Sequence, residues 1–375
     1  MQGFSISVAS GALLVAAASF SAHAEEYAAN IFLSSEATMT RYAYNEFARR
    51  VDEATNGEIQ FRVYTGGVLL PPRASMEGLA DGIAQVGYHA GTYTPDKLPK
   101  HNMISELSLV HPDNLVVAIA STELNFVVPE LEDEWRSNGV VYGGGYATAP
   151  YQLLCNAEVA DLSHLQGKRI RMPGGVWDRW AAEMGAVPVN VPSTEIYTGL
   201  DRGTLDCGVN PVEGLKSLSF WDVAPHVLDL PLGVYFSGFH WGYDANFWRG
   251  LSLEHRRILH ENMAWAIAKT AVEFKSETEA VVQEAQARGV TFHPPAAELE
   301  EAHLRFVEVD RAGLADLGRS KYNVDDPEKY IEIYLELIEK WERILDDVDV
   351  SSVDDIRRVI MSEIYDKIDA ENYGL

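Results

Sequence analysis

The sequence predicts an α/β fold in two lobes, and three observations predict it. A strand–helix rhythm runs over residues 27–91, the same rhythm restarts after Pro150, and a helical stretch from Ser252 to Arg288 is too long for one small domain. In the first rhythm "YAANIFLSS" reads as a strand and "EATMTRYAYNEFARRVDEATNG" as an amphipathic helix closing on Gly57. "EIQFRVYTGG" is a strand, "PRASMEGLADG" a helix closed by Gly82, and "IAQVGYHAG" a further strand. A β-α-β-α-β order predicts a mostly parallel sheet covered by helices on both faces.

In the second rhythm "KRIRMP" is a strand, "VWDRWAAEMG" a helix and "VPVNVP" a strand. "STEIYTGLDRG" follows as a helix with Ser193 as its candidate N-cap and Gly203 as its stop, and "TLDCGVN" is a strand again. The helix from Ser252, stopped by Gly289, would reach about 55 Å and brace both lobes. Beyond Pro327, Ile331, Tyr334, Leu335, Ile338 and Leu345 recur at helical spacing, and "SSVDDIRRVIMSEIYDKIDA" adds a capped final helix. The division expected is lobe I over residues 25–147 and 236–275, lobe II over 148–235 and 276–325, and a helical C-terminal extension over 326–375. The glycine run Gly143 to Gly145 reads as a tight turn or hinge.

Composition narrows the function. The 375 residues are 47% hydrophobic, enough for a large core, and carry a formal net charge of −26. Nucleic acids and acidic membranes need a basic face, so neither is an expected partner. A small anion is still admissible, because distant charges are screened beyond about 8 Å and the local site decides. The start, "MQGFSISVASGALLVAAASFSAHA", holds an apolar core too short to span a bilayer and an A-x-A pattern at Ala22 and Ala24. It reads as an export signal, residues 1–24, cleaved after Ala24, although its first residues lack the usual Lys or Arg. The mature product is therefore expected in the periplasm, with no segment inserted in the membrane. Export permits a disulfide between Cys155 and Cys207, but their strand-like contexts fit small buried residues equally well, and the unbridged reading is preferred.

Several chemistries find no support. There is no G-x-S-x-G elbow, no phosphate-binding G-x-x-x-x-G-K-[ST] loop and no H-E-x-x-H, and the two Cys and eleven His form no compact cluster. No catalytic residue, metal or cofactor is assigned.

"GKRIRMPGG", Gly167 to Gly175, is the stretch that suggests a site. Three cations stand on a short strand just before a Pro-Gly-Gly turn. Lys168 and Arg169 read as surface charges paired with some of the many acids. Arg171, at the strand's end, presents a planar donor fork that matches a carboxylate in two places. Pro173, Gly174 and Gly175 would leave the backbone bare beside it, with the helix from Val176 pointing its N-terminal amides the same way. Cleft loops and aromatic walls would supply the rest: Tyr93 after the third strand, Trp177 behind the turn, and Phe236, His240 and Trp241 in "FSGFHWG".

The stretch Asp161 to Asn210, "DLSHLQGKRIRMPGG…MGAVPVNVPSTEIYTGLDRGTLDCGVN", resembles the DctP-like substrate-binding proteins of TRAP (tripartite ATP-independent periplasmic) transporters. The family pattern "K-x-R", "LGA-x-P-V" and "E-[VI]-Y-x-A-L-x-x-G" falls here on Arg171, on Gly185 to Val189, and on Glu195, Tyr197, Leu200 and Gly203. "VYTGGVLL", "MEGLADGIAQVGY" and "LSLEHRRIL" agree with further family segments, so the resemblance covers about residues 27–320. It implies a two-lobed periplasmic binding protein, a Venus flytrap, that closes on a small organic anion and delivers it to the small and large membrane permease subunits. It implies also that Arg171 grips the ligand's carboxylate and that Asn210 adds a hydrogen bond. Many relatives carry a second arginine before lobe II, where this chain has "GGGYATAPYQ"; one fixed cation suits a monocarboxylate, aromatic or a small hydroxy or keto acid. Where the keto-acid branch often has an acidic-Trp pair, this chain has "GVN", which argues against a bound metal. The rival readings are a binding protein of an ABC importer or a sensor, a periplasmic enzyme, and an adhesive protein.

Overall fold

Two mixed sheets, one in each lobe, set the architecture. The computed structural model describes residues 25–375, so the expected export signal and its cleavage after Ala24 lie outside the described residues. The strands are β1 (Glu25–Asn30), β2 (Ile59–Tyr64), β3 (Val86–Ala90), β4 (Val140–Gly144), β5 (Tyr151–Cys155), β6 (Arg169–Arg171), β7 (Val187–Val189), β8 (Cys207–Pro211), β9 (His226–Leu228), β10 (Gly238–Asp244) and β11 (Thr291–His293). The first sheet has the order β2-β1-β3-β10-β4 and the second β11-β9-β5-β8-β6-β7.

The expected parallel pairs are those joined by helical crossovers: β1 with β2 and β3, and β6 with β7 and β8. The sheets are nevertheless mixed. β10, which brings the chain back to the first sheet, runs antiparallel to β3 and β4. β5, which begins the second sheet, runs antiparallel to β8 and β9. A strand that arrives from the other lobe has no crossover helix to set its direction, so local periodicity does not reveal it.

The two crossings lie side by side. Thr148 N–H donates to Tyr235 O at 2.9 Å, Tyr151 N–H to Gly233 O at 2.8 Å and Leu232 N–H to Tyr151 O at 2.8 Å. Gly233 has φ 72° and passes so close to Ser108 that an added Cβ would stand 2.1 Å from its carbonyl oxygen. A side chain there would force the crossing away from the first lobe.

The long helix spans Leu253–Ala287, 35 residues, with the Ser252 side chain accepting from His255 N–H as its cap. Its first half buries Leu259, Met263, Ile267 and Phe274 in the main core, and its last turns bury Val281 and Ala285 in the second lobe's own cluster. One rigid rod of about 52 Å therefore ties both lobes together. The C-terminal helix Pro327–Asp346 packs back on the first lobe. Of its expected stripe, Tyr334, Ile338 and Leu345 are buried and Ile331 and Leu335 half-buried. Trp341 Nε1 donates to Glu123 Oε2 at 2.7 Å and Lys340 Nζ to Glu123 Oε1 at 2.7 Å.

Two expectations are corrected. Gly143 and Gly144 form the end of β4 rather than a turn; an added Cβ at Gly143 would lie 2.6 Å from the Tyr243 ring, so close packing explains the glycine. Cys155 and Cys207 are bonded to each other, as directly opposed residues of β5 and β8. The antiparallel pairing that brings them together joins strands from distant parts of the chain, which separate strand contexts do not show. Among the described residues no single helix is long and apolar enough to cross a membrane.

The disulfide closes a span of 52 residues, worth about 4 kcal/mol on chain-entropy grounds. The double variant Cys155→Ala/Cys207→Ala is expected to lose about 2–4 kcal/mol of unfolding free energy in urea. An unchanged midpoint and slope would contradict a structural role for the bridge.

Candidate ligand-binding site

β6 carries its two arginines at opposite ends of one face, and their surroundings differ. Arg169, at the outer end, is exposed and pairs with Asp206 at 2.9 Å. Arg171, at the inner end, is only 1% exposed. Its Nε donates to Val191 O at 2.9 Å, Nη1 to Val209 O at 2.9 Å and Nη2 to the Tyr93 hydroxyl at 3.0 Å. No carboxylate among the described residues forms an ion pair with it. A guanidinium has five N–H groups. Three are committed to neutral acceptors, and one on each terminal nitrogen remains for an incoming anion. A buried cation without a counter-charge is costly, so the site is electrostatically incomplete as it stands.

A cavity of about 680 Å³, its mouth included, lies against Arg171 and is walled by both lobes. Four of the expected site residues line it: Arg171, Asn210, Tyr93 and Pro173. Tyr93 ends the short helix Gly91–Tyr93, just after β3. Its hydroxyl oxygen accepts from Arg171 and also from Ser193 N–H at 3.0 Å, both from the second lobe. Ser193 thus serves the lobe contact through its backbone; its side chain caps no helix, as the turn Ser193–Glu195 is preceded by Pro192. Asn210, on β8, is 7% exposed and its side-chain amide has no hydrogen-bond partner among the described residues.

The other expected residues lie outside this wall. Gly174, with φ 110°, lets the turn pass Thr92 of the first lobe, whose Cβ would stand 3.2 Å from an added methyl. Beside Gly175 an added Cβ would meet the Glu106 carboxylate at 2.6 Å. Glu106 is already satisfied by Arg179 Nη1 at 3.1 Å, Lys321 Nζ at 3.2 Å and the Tyr322 hydroxyl. The helix start expected to face a ligand therefore has one of the protein's own carboxylates beside it. Trp177 is core: Nε1 donates to Leu232 O at 2.7 Å, and the ring stacks on Tyr235 at 5.7 Å. Phe236 stacks on Tyr334 of the C-terminal helix at 5.2 Å. His240 is buried, and burial pushes its imidazole down to about 3, so it stays neutral. Trp241 donates to Ala43 O at 3.0 Å. All seven residues of β10 are buried, so alternation along that strand does not separate wall from core.

Sequence reasoning missed Tyr88, Tyr151, Tyr235, Phe32, Phe274 and Glu213, all of which line the cavity. Tyr151 is the most informative. It starts β5 directly after Pro150, it is 6% exposed, and its hydroxyl has no hydrogen-bond partner among the described residues. Burial raises its ionisation far above the usual range, with Arg171 pulling the other way, so it stays a neutral donor. Glu213 lines the cavity and also an adjoining groove with Arg41, Lys216 and Glu277. Its Oε2 is sealed from solvent without a partner, and no cation pairs with it. Burial first, then the nearby Glu277 carboxylate, pushes the Glu213 carboxyl up to about 8.

A family model described as bacterial extracellular solute-binding protein, family 7, matches residues 29–309. A monocarboxylate 2-oxoacid-binding periplasmic protein of Nostoc sp. is 25% identical over 181 residues, 45% of this chain and 46% of that protein. A solute-binding protein of Albidiferax ferrireducens is 23% identical over 198 residues, 50% of this chain and 55% of that protein. The chain thus spans about half the length of these two curated relatives. The fold is similar to that of a TRAP solute-binding protein from Rhodoferax ferrireducens, solved with copurified benzoate. That structure has TM-score 0.75 and 18% identity, over 85% of this chain and 99% of that one. The family match takes in both sheets, the two crossings and Arg171. The chain belongs to the family 7 bacterial extracellular solute-binding proteins, a family of binding proteins and not of enzymes.

Proposed function

We propose that this chain is the extracytoplasmic receptor of a TRAP transporter, capturing a small monocarboxylate between its lobes and delivering it to the small and large membrane permease subunits. Residues 1–24 direct export and are removed after Ala24. The observation that carries the reading is the buried Arg171 guanidinium, with two N–H groups left over and no carboxylate of its own. A ligand carboxylate takes those two donors side by side. The Tyr151 hydroxyl and the Asn210 amide stand in the same wall, unpartnered, to complete its oxygens. Arg171 is the only cation lining the cavity and Glu213 is held neutral, so a second carboxylate on the ligand finds no counter-charge. Phe32, Tyr88, Tyr235 and Phe274 give the remaining wall an aromatic character, suited to an aromatic acid or a small hydroxy or keto acid.

Closure follows from the same contacts. Besides the Tyr93 bonds, Ser34 Oγ donates to Ser217 O at 3.1 Å and Arg73 Nη2 to Asn190 Oδ1 at 3.4 Å, each from one lobe to the other. Opening the lobes would take Tyr93 from Arg171. A ligand held by both walls therefore binds the closed form better and shifts the population toward it.

Arg171→Ala is expected to weaken the tightest monocarboxylate by at least tenfold, about 1.4 kcal/mol, in titration calorimetry. Arg171→Lys should recover little of it, because an ammonium offers no fork. Unchanged affinity in a variant with native circular dichroism would refute the clamp.

Glu213 gives a second test through stability. The folded state keeps a proton up to about pH 8 that free glutamate releases near 4.3, a value typical of model peptides at about that figure. Its contribution is full below the unfolded value and is lost as pH rises through the folded one. Between about pH 5 and about pH 9 the wild type should lose stability relative to Glu213→Gln in urea unfolding. Parallel curves would show that Glu213 is not held neutral.

A further inference from the structure

We infer that Glu213 reads the end of the captured solute remote from its carboxylate, and that this end carries a hydroxyl group. The inference rests on Arg171 as the carboxylate clamp and adds the chemistry of the opposite pole. Glu213 follows β8 by two residues and lines the cavity with Gly214, Ser217 and Leu218 of the second lobe. Its Oε2 is sealed from solvent with no hydrogen-bond partner, a state a folded protein seldom leaves uncompensated.

The surroundings rule out an internal partner. Arg41 and Thr38, the donors that come from the first lobe into the adjoining groove, are both engaged by Glu277, Thr38 Oγ1 at 2.6 Å and Arg41 Nη2 at 2.5 Å. Lys216 pairs with Glu284 at 2.7 Å. What remains within the cavity is apolar or aromatic, apart from Arg171, Asn210 and hydroxyl groups. The missing partner of Glu213 therefore belongs to the ligand.

The carboxyl's chemistry selects that partner. A neutral carboxyl both donates and accepts, so it pairs with a group that does both. A hydroxyl meets this demand in one contact. A second carboxylate would face a carboxyl with no cation to offset it, and a plain hydrocarbon end would leave Oε2 buried and unpaired. A site built to bond a hydroxyl rejects the analogue that lacks it far more strongly than an apolar pocket distinguishes one methylene.

Matched acids that differ by one hydroxyl provide the test: 3-hydroxybenzoate and benzoate, 3-hydroxyphenylacetate and phenylacetate, lactate and propionate, with succinate as the dianion. Calorimetry is run on the full chain and on Glu213→Leu, Glu213→Gln and Arg171→Ala, each checked by circular dichroism. In the wild type the hydroxylated member of at least one pair should bind about tenfold or more tighter than its partner, and succinate should be weakest. Glu213→Leu should collapse that gap to within about threefold, while Glu213→Gln, which still donates and accepts, keeps most of it. A gap that survives Glu213→Leu overturns the inference. So do equal affinities within every pair; if Arg171→Ala still weakens both members, the clamp stands and only the Glu213 role falls. Binding that ignores Arg171→Ala, or no binding by any of these acids, removes both.

Discussion

A buried positive charge with no counter-charge of its own organises this molecule. Arg171 is 1% exposed and rests on two carbonyl oxygens and one tyrosine hydroxyl. Those dipoles hold the guanidinium in place without neutralising it. The strand positions the charge: β6 pairs with β7 and β8, so Val191 and Val209 carbonyls from the neighbouring strands reach around the side chain. Held this way, the fork needs little ordering when an anion arrives.

The scaffold makes that charge shared between lobes. Tyr93 reaches it from the first lobe, the two crossing segments bond to one another, and the helix Leu253–Ala287 lies along both lobes. Phe274 of that helix lines the cavity itself, so the brace also forms part of the wall. The helices after Pro327 lie beyond the residues matched by the family model and pack on the first lobe through Glu123, Trp341 and Tyr334. They leave the cavity untouched and stiffen the lobe that supplies Tyr93.

Much of the fold was legible in the sequence because it is local. Helix stops at Gly57, Gly82 and Gly203 show positive φ, and the Ser252 cap and Gly289 stop frame the long helix. Strand direction was less legible, since β5 and β10 take theirs from the path between lobes. The disulfide was hidden for the same reason: Cys155 and Cys207 become neighbours only once β5 and β8 pair. At the candidate site Arg171 stood out by its charge and its Pro-Gly-Gly turn, and Tyr93, Pro173 and Asn210 fall in the same cavity wall. Trp177, Phe236, His240 and Trp241 were attractive as aromatics, but both faces of their elements are covered, so they serve as core. Tyr151 and Glu213 carry no local signal; what marks them is a polar group left without a partner, which only the packed structure reveals.

The central claim is tested most directly by a co-crystal structure with the monocarboxylate that raises the melting temperature most. The account predicts both carboxylate oxygens about 2.7–2.9 Å from the terminal nitrogens of Arg171, with Tyr151 and Asn210 in hydrogen-bond range. A ligand seated elsewhere, or one whose carboxylate turns away from Arg171 toward solvent, would contradict it.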